Sequence, residues 1–196
     1  ILHLVNAGTT NIKSAQFFEQ LPVNGDQYLV AGNSRGSAYR PQMLDDLKVW
    51  GAPSGTTQKI EVTTDANACA GTWSTVASAG TACGANTWTV ANASTDWSKV
   101  TGLRVSLDFT TSTVGSLTPG TATDVTYSSK NQAKSSSDAS GASVDAPATD
   151  EFAWNQFGML YTGASGSKTI APNRVGVHLR TGSLEVVKKV SGKAAE

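Results

Sequence analysis

Residues 100–109 (VTGLRVSLDF) alternate between apolar and polar side chains. Leu103, Val105, Leu107 and Phe109 fall on one side of an extended chain, and Arg104, Ser106 and Asp108 on the other. The same half-buried pattern recurs in residues 58–63 (QKIEVT). Residues 1–5 form a further strand that ends in a turn at Asn6-Ala7-Gly8. Residues 11–20 form another, stopped by Leu21-Pro22. Shorter strands are predicted at 47–50 and 87–90, another at 121–128 after the turn Leu117-Thr118-Pro119-Gly120, and closing strands at 152–161 and 173–179. Residues 23–40 read as a long connection, 67–86 as an excursion bounded by two cysteines, and 129–150 as a mobile surface loop rich in Ser, Ala and Asp. The one helix candidate is short, at 42–47, with Asp45 and Asp46 in it. Many short strands with turn signals between them predict an all-β fold, an antiparallel Ig-like β-sandwich with long surface loops.

Composition agrees with that pattern. Ser (22) and Thr (24) together make 46 of the 196 residues, favouring strands and turns over helices. Charged residues are only 15% and the net charge is zero, so a nucleic-acid interface, which needs a basic face, is not expected. No apolar run reaches the ~18 residues of a spanning helix, and no charge cluster suits a membrane surface. Cys69 and Cys83 flank a short Gly-bearing segment. In an extracellular chain they pair as a disulfide that contributes roughly 3 kcal/mol; in a reducing compartment they stay free thiols. No CxxC or Cys/His cluster supports zinc.

The stretch LPVNGDQYLVAGNSRGSAYRP, residues 21–41, is where a phosphate or metal loop would have to be. It has neither GK[ST] nor G-x-G-x-x-G and leads into no long helix, which excludes a phosphate cradle. Asn24, Asp26 and Asn33 offer oxygens to calcium, but only one is a carboxylate, so no metal site is assigned and calcium is the one ion left open. The reading is structural: Asp26 pairs with Arg35 and pins an ordered connection. Catalysis is not expected. His3 and His178 are read as strand-surface residues, no G-x-S-x-G elbow occurs, and the pairs Asp45-Asp46 and Asp150-Glu151 are read as solvated turn charges. Five tryptophans, Trp50, Trp73, Trp88, Trp97 and Trp154, suggest stacking on sugars or packing in the core. Trp73, inside the cysteine-bounded segment, is the best exposed candidate, and Trp154, beside Phe152, is assigned to the core.

Taken in order, VNAGTT, LP, GD, SRGSAYRP, the cysteine pair, DWSKVTGLRV, LTPG, FAWNQFG and NRVGV resemble a domain of cell-wall-anchored surface proteins of actinobacteria, related to the DUF11 repeats. The resemblance covers about residues 1–179, with Glu19 standing where an aspartate is expected. It implies an extracellular structural or adhesive module, in a stalk or an adhesin, of a protein anchored to the cell wall. Its partners would be neighbouring domains of the same polypeptide and a host glycan or matrix protein. The alternative is a carbohydrate-binding module that uses exposed tryptophans. An isopeptide bond inside this domain would need Lys13 on an early strand, Asn155 on a late one and Glu19 as proton shuttle. The division expected is a β-sandwich domain over residues 1–180, then a linker and a truncated strand over 181–196. The tail GSLEVVKKVSG resembles the first strand of a Cna protein B-type stalk domain. By that resemblance Lys188 is the isopeptide lysine of the next domain, and its partner strand is absent from this chain, which is read as a piece of a longer protein.

Overall fold

The computed structural model describes residues 1–29, 33–65, 68, 87–130, 136–137, 143–144, 151–180 and 183–185. Within them the regular structure is almost all β-strand. The strands are β1 (Leu2–Val5), β2 (Ile12–Gln20), β3 (Gln42–Met43), β4 (Lys48–Trp50), β5 (Thr57–Thr63), β6 (Thr89–Val90), β7 (Gly102–Asp108) and β8 (Ala122–Thr126). They continue as β9 (Ser129–Lys130), β10 (Ser136–Ser137), β11 (Ser143–Val144), β12 (Phe152–Asn155), β13 (Phe157–Gly163), β14 (Gly166–Ile170), β15 (Val175–Arg180) and β16 (Ser183–Glu185). Two 3₁₀ turns, Trp97–Lys99 and Phe109–Thr111, are the only helical elements among the described residues.

Every described strand pair is antiparallel. The largest sheet has six strands in the order β14-β13-β2-β7-β5-β6. A second sheet has three, β1-β8-β4, and a third runs β12-β15-β16. The alternation read in residues 102–108 sets which way β7 faces: Leu103, Val105 and Leu107 are buried, while Arg104, Ser106 and Asp108 are half-buried on the outer side. In β2 the same inner side carries Ala15, Phe17 and Glu19. The three-stranded sheet supplies Leu2, Leu4 and Val125 to the same core, which also takes Met159, Phe109 and Leu117. The result is a β-sandwich, two sheets closed over one apolar layer. Burying a side chain such as Phe17, with no exposed surface, stabilises by about 2–3 kcal/mol.

Two local expectations change. Residues 42–47 form no helix: Gln42 and Met43 pair with Lys130 and Ser129, and Leu44 N–H donates to Ser128 O at 2.9 Å. The backbone groups a helix would have used are bonded across to another segment instead. Residues 152–161 are two strands, because Gln156 turns inward between them. Its side chain accepts from Leu29 N–H at 3.0 Å and donates to Pro172 O at 2.8 Å. Beyond residue 180, Ser183–Glu185 pairs with β15, His178 opposite Glu185, so these three residues add a strand to the third sheet.

Candidate functional site

The long connection, residues 21–41, folds around one ion pair. Asp26 Oδ2 lies 2.8 Å from Arg35 Nη2, and both side chains are fully buried. The structure brings together the two residues that the sequence reading paired. Asp26 also accepts from the N–H groups of Val23 (3.2 Å) and Ser37 (3.3 Å), which makes it the hub of the loop. Arg35 reaches out of the loop. Nη1 and Nη2 each donate to Gln20 O at 3.2 Å, at the end of β2, and Nη1 donates to Gln156 O at 3.4 Å, between β12 and β13. Burial pushes the guanidinium below its usual range, and the Asp26 carboxylate pulls it back up. With its oxygens committed to Arg35 and to two loop N–H groups, Asp26 serves the loop rather than a cation.

Next to this clamp lies a second buried polar group. Glu19 Oε1 accepts from Tyr127 Oη and from Asn155 Nδ2, and Asn155 Nδ2 also donates to Tyr127 Oη at 3.3 Å. Glu19 has no exposed surface, and burial raises its pKa, against the hydrogen bonds from Tyr127 and Asn155 and the charge of Arg35. The same burial, with the Glu19 charge beside it, raises Tyr127 well above its usual value. Two polar atoms of the cluster, Glu19 Oε2 and Asn155 Oδ1, are buried without a hydrogen-bond partner.

Glu19 and Asn155 therefore meet, but Lys13 does not join them. It lies on the same strand six residues earlier, about 20 Å away, and is exposed. The isopeptide set of Lys13, Glu19 and Asn155 is not assembled, because the strand is extended and its lysine ends at the far rim of the sheet. There Lys13 lines an open groove of about 580 Å³ with Ser14, Gln16, Lys59, Ser106 and Asp108. Asp108 is committed to the Thr110 N–H at 2.9 Å and hydroxyl at 2.6 Å, and Lys59 to Glu61 at 2.8 Å.

The tryptophans divide clearly. Trp88 packs edge-on against Phe18, ring centroids 6.0 Å apart, with the Arg104 guanidinium 4.6 Å from its ring centre. Trp97 packs against the core. Trp154 stacks on Phe152 at 4.9 Å and carries Arg174 over its ring at 4.2 Å. It is only half-buried, in the third sheet rather than in the apolar layer. Trp50 is different: 54% of its surface is exposed. The sequence reading singled out Trp73 instead. Trp73, Cys69, Cys83 and Lys188 all lie outside the described residues, so neither the disulfide nor the tail lysine has a described environment. Of the acidic pairs, Asp46 caps a turn, accepting from Ser128 N–H at 2.7 Å. No group of three metal-ligating side chains occurs among the described residues.

No family model, curated protein or solved structure matches this chain.

Proposed function

We propose that this chain is a structural or adhesive module, of a stalk or an adhesin, in a bacterial cell-surface protein, in the manner of the DUF11-like domains it resembles. The observation that carries this reading is the fate of the long connection. A loop of this length in an enzyme usually presents chemistry at its tip. Here its one carboxylate and its central arginine are sealed against each other, and the arginine ties the loop to the end of β2 and to the link between β12 and β13. Charged groups spent this way make a connection rigid, which suits a domain that holds position in a stalk or presents a neighbouring surface. A carbohydrate-binding role is the second reading, favoured by one observation, the exposure of Trp50.

Surface location is the part to test first. An antibody raised against the folded chain should label intact cells of the producing bacterium, before and after a wash that removes loosely held protein. Labelling that requires cell lysis would overturn the proposal.

A further inference from the structure

On the outer side of the three-stranded sheet, His3, Asp124 and Trp50 are directly opposite one another on β1, β8 and β4. Neighbouring strands are about 4.8 Å apart, so the row spans about 10 Å from His3 to Trp50. The inner side of the same strands is core, with Leu2, Leu4 and Val125 buried, so these three side chains all point outward. His3 Nδ1 is bonded to Asp124 Oδ1, and the two side chains are 54% and 34% exposed. Asp124 Oδ2 and His3 Nε2 make no hydrogen bond within the described structure. Trp50 Nε1 donates to Thr126 Oγ1 at 3.1 Å, which fixes the indole against β8, and Lys48 Nζ stands 5.7 Å from the ring centre.

We infer that this row is a binding site for a neutral saccharide ring. The inference rests on the carbohydrate-binding reading above and names its contact face. The indole gives a flat apolar surface beside polar groups that are exposed and held in place. A sugar ring has the complementary design, one face of C–H groups and a rim of hydroxyls. Those hydroxyls donate to the second carboxylate oxygen of Asp124 and accept from the histidine ring or the lysine ammonium. Lys48 and Asp124 are of opposite charge, so this pair adds no net charge that would favour a charged partner over a neutral one. Size argues against a protein. Strands of three to five residues, three abreast, cover roughly 150 Å², whereas a standard protein interface buries about 800 Å² per partner.

The test is titration of the isotope-labelled 196-residue chain with methyl glucoside, methyl galactoside, methyl mannoside, N-acetylglucosamine and their β-linked disaccharides, read by NMR. The Trp50 indole N–H is assigned by its loss in Trp50→Ala. The expected result is a saturable shift of that signal and of the His3 ring signals with at least one of these sugars. Affinity should fall about tenfold in Trp50→Ala and in Asp124→Asn, and stay unchanged in Lys13→Ala. If Trp50→Ala fails to fold, Asp124→Asn, which keeps the side-chain shape, carries the test. No saturable shift with any of these sugars overturns the inference. So does a shift that persists in both variants, or one centred on Trp88 or Trp97. Since surface labelling does not depend on sugar binding, the inference and the surface-protein reading fail separately.

Discussion

Asp26→Ala should be among the most damaging single changes in the described structure. The substitution removes the partner of a guanidinium whose side chain has no exposed surface, leaving a buried unit charge 2.8 Å from where its counter-ion stood. Breaking a buried pair from one side costs about 3–5 kcal/mol. The change also strips acceptors from the N–H groups of Val23 and Ser37, each worth about 1–3 kcal/mol if no water replaces the carboxylate. These losses overlap, and the total expected is about 4 kcal/mol, a large part of the ~5–15 kcal/mol that holds a domain together. Arg35→Met alone should cost a similar amount, because it leaves Asp26 buried and unpaired. The double change Asp26→Leu with Arg35→Met should recover only part of that loss: an apolar pair of similar volume needs no solvation, but the N–H groups of Val23 and Ser37 and the carbonyls of Gln20 and Gln156 stay without these partners. Urea unfolding followed by far-UV circular dichroism gives each value by linear extrapolation. Repeating it at high salt should leave the Asp26 effect unchanged, because a pair sealed from water is screened little. A loss below about 1 kcal/mol, or one that disappears in salt, would show that the pair is solvated and that the loop is not held by it.

Four further outcomes are expected. Glu19 has a raised pKa in the folded state, so its contribution favours folding fully below its ordinary value of 4.5 and is lost as pH rises through the folded value; Glu19→Gln should therefore gain in melting temperature over wild type as pH rises above about 4.5, and a constant difference would refute this. Glu61 shifts the other way, since the bonds from Arg104 and Lys59 outweigh burial; Glu61→Gln should cost stability at neutral pH, and the difference should shrink as pH falls through the folded value. Gly176→Ala would place a methyl 2.5 Å from the Trp154 ring and should cost about 1–3 kcal/mol, with the Trp154 signal displaced in NMR. Trp50→Ala should cost about 1 kcal/mol in a thermal melt, since the indole is 54% exposed but loses its hydrogen bond to Thr126 and its packing on β8.

The sandwich was legible because burial on one side of a strand writes itself into the sequence with a period of two. Residues 102–108 and, in part, 58–63 carry that signature, while 12–20 do not, since Phe17, Phe18 and Glu19 are buried in succession; the strands found differ from the expected ones by one or two residues at their ends. β14 was missed for the converse reason: all five of its residues are exposed, so nothing in GSKTI marks a core-facing side. The break at Gln156 was missed because FAWNQFGMLY is apolar on both sides of it. The inward turn of that glutamine depends on Leu29 and Pro172, 127 and 16 residues away in sequence.

The candidate surface shows the same limit from the other end. Asp26 and Arg35 are nine residues apart in one loop, and their pairing could be argued locally. His3 and Asp124 are 121 residues apart, and Trp50 and Thr126 are 76 apart. Each of these residues, read alone, is an ordinary outward position of a strand. What makes them a set is register: β1 and β4 both pair with β8, and both bring their outward side chains to Asp124. A slip of one residue in either pairing would turn His3 or Trp50 into the core and send Leu2, Leu4 or Val49 out to water. The apolar packing of Leu2, Leu4 and Val125 is thus what holds the outer row in place. Changes that keep those inner residues apolar should preserve the outer row, even though they touch none of the groups that would meet a ligand.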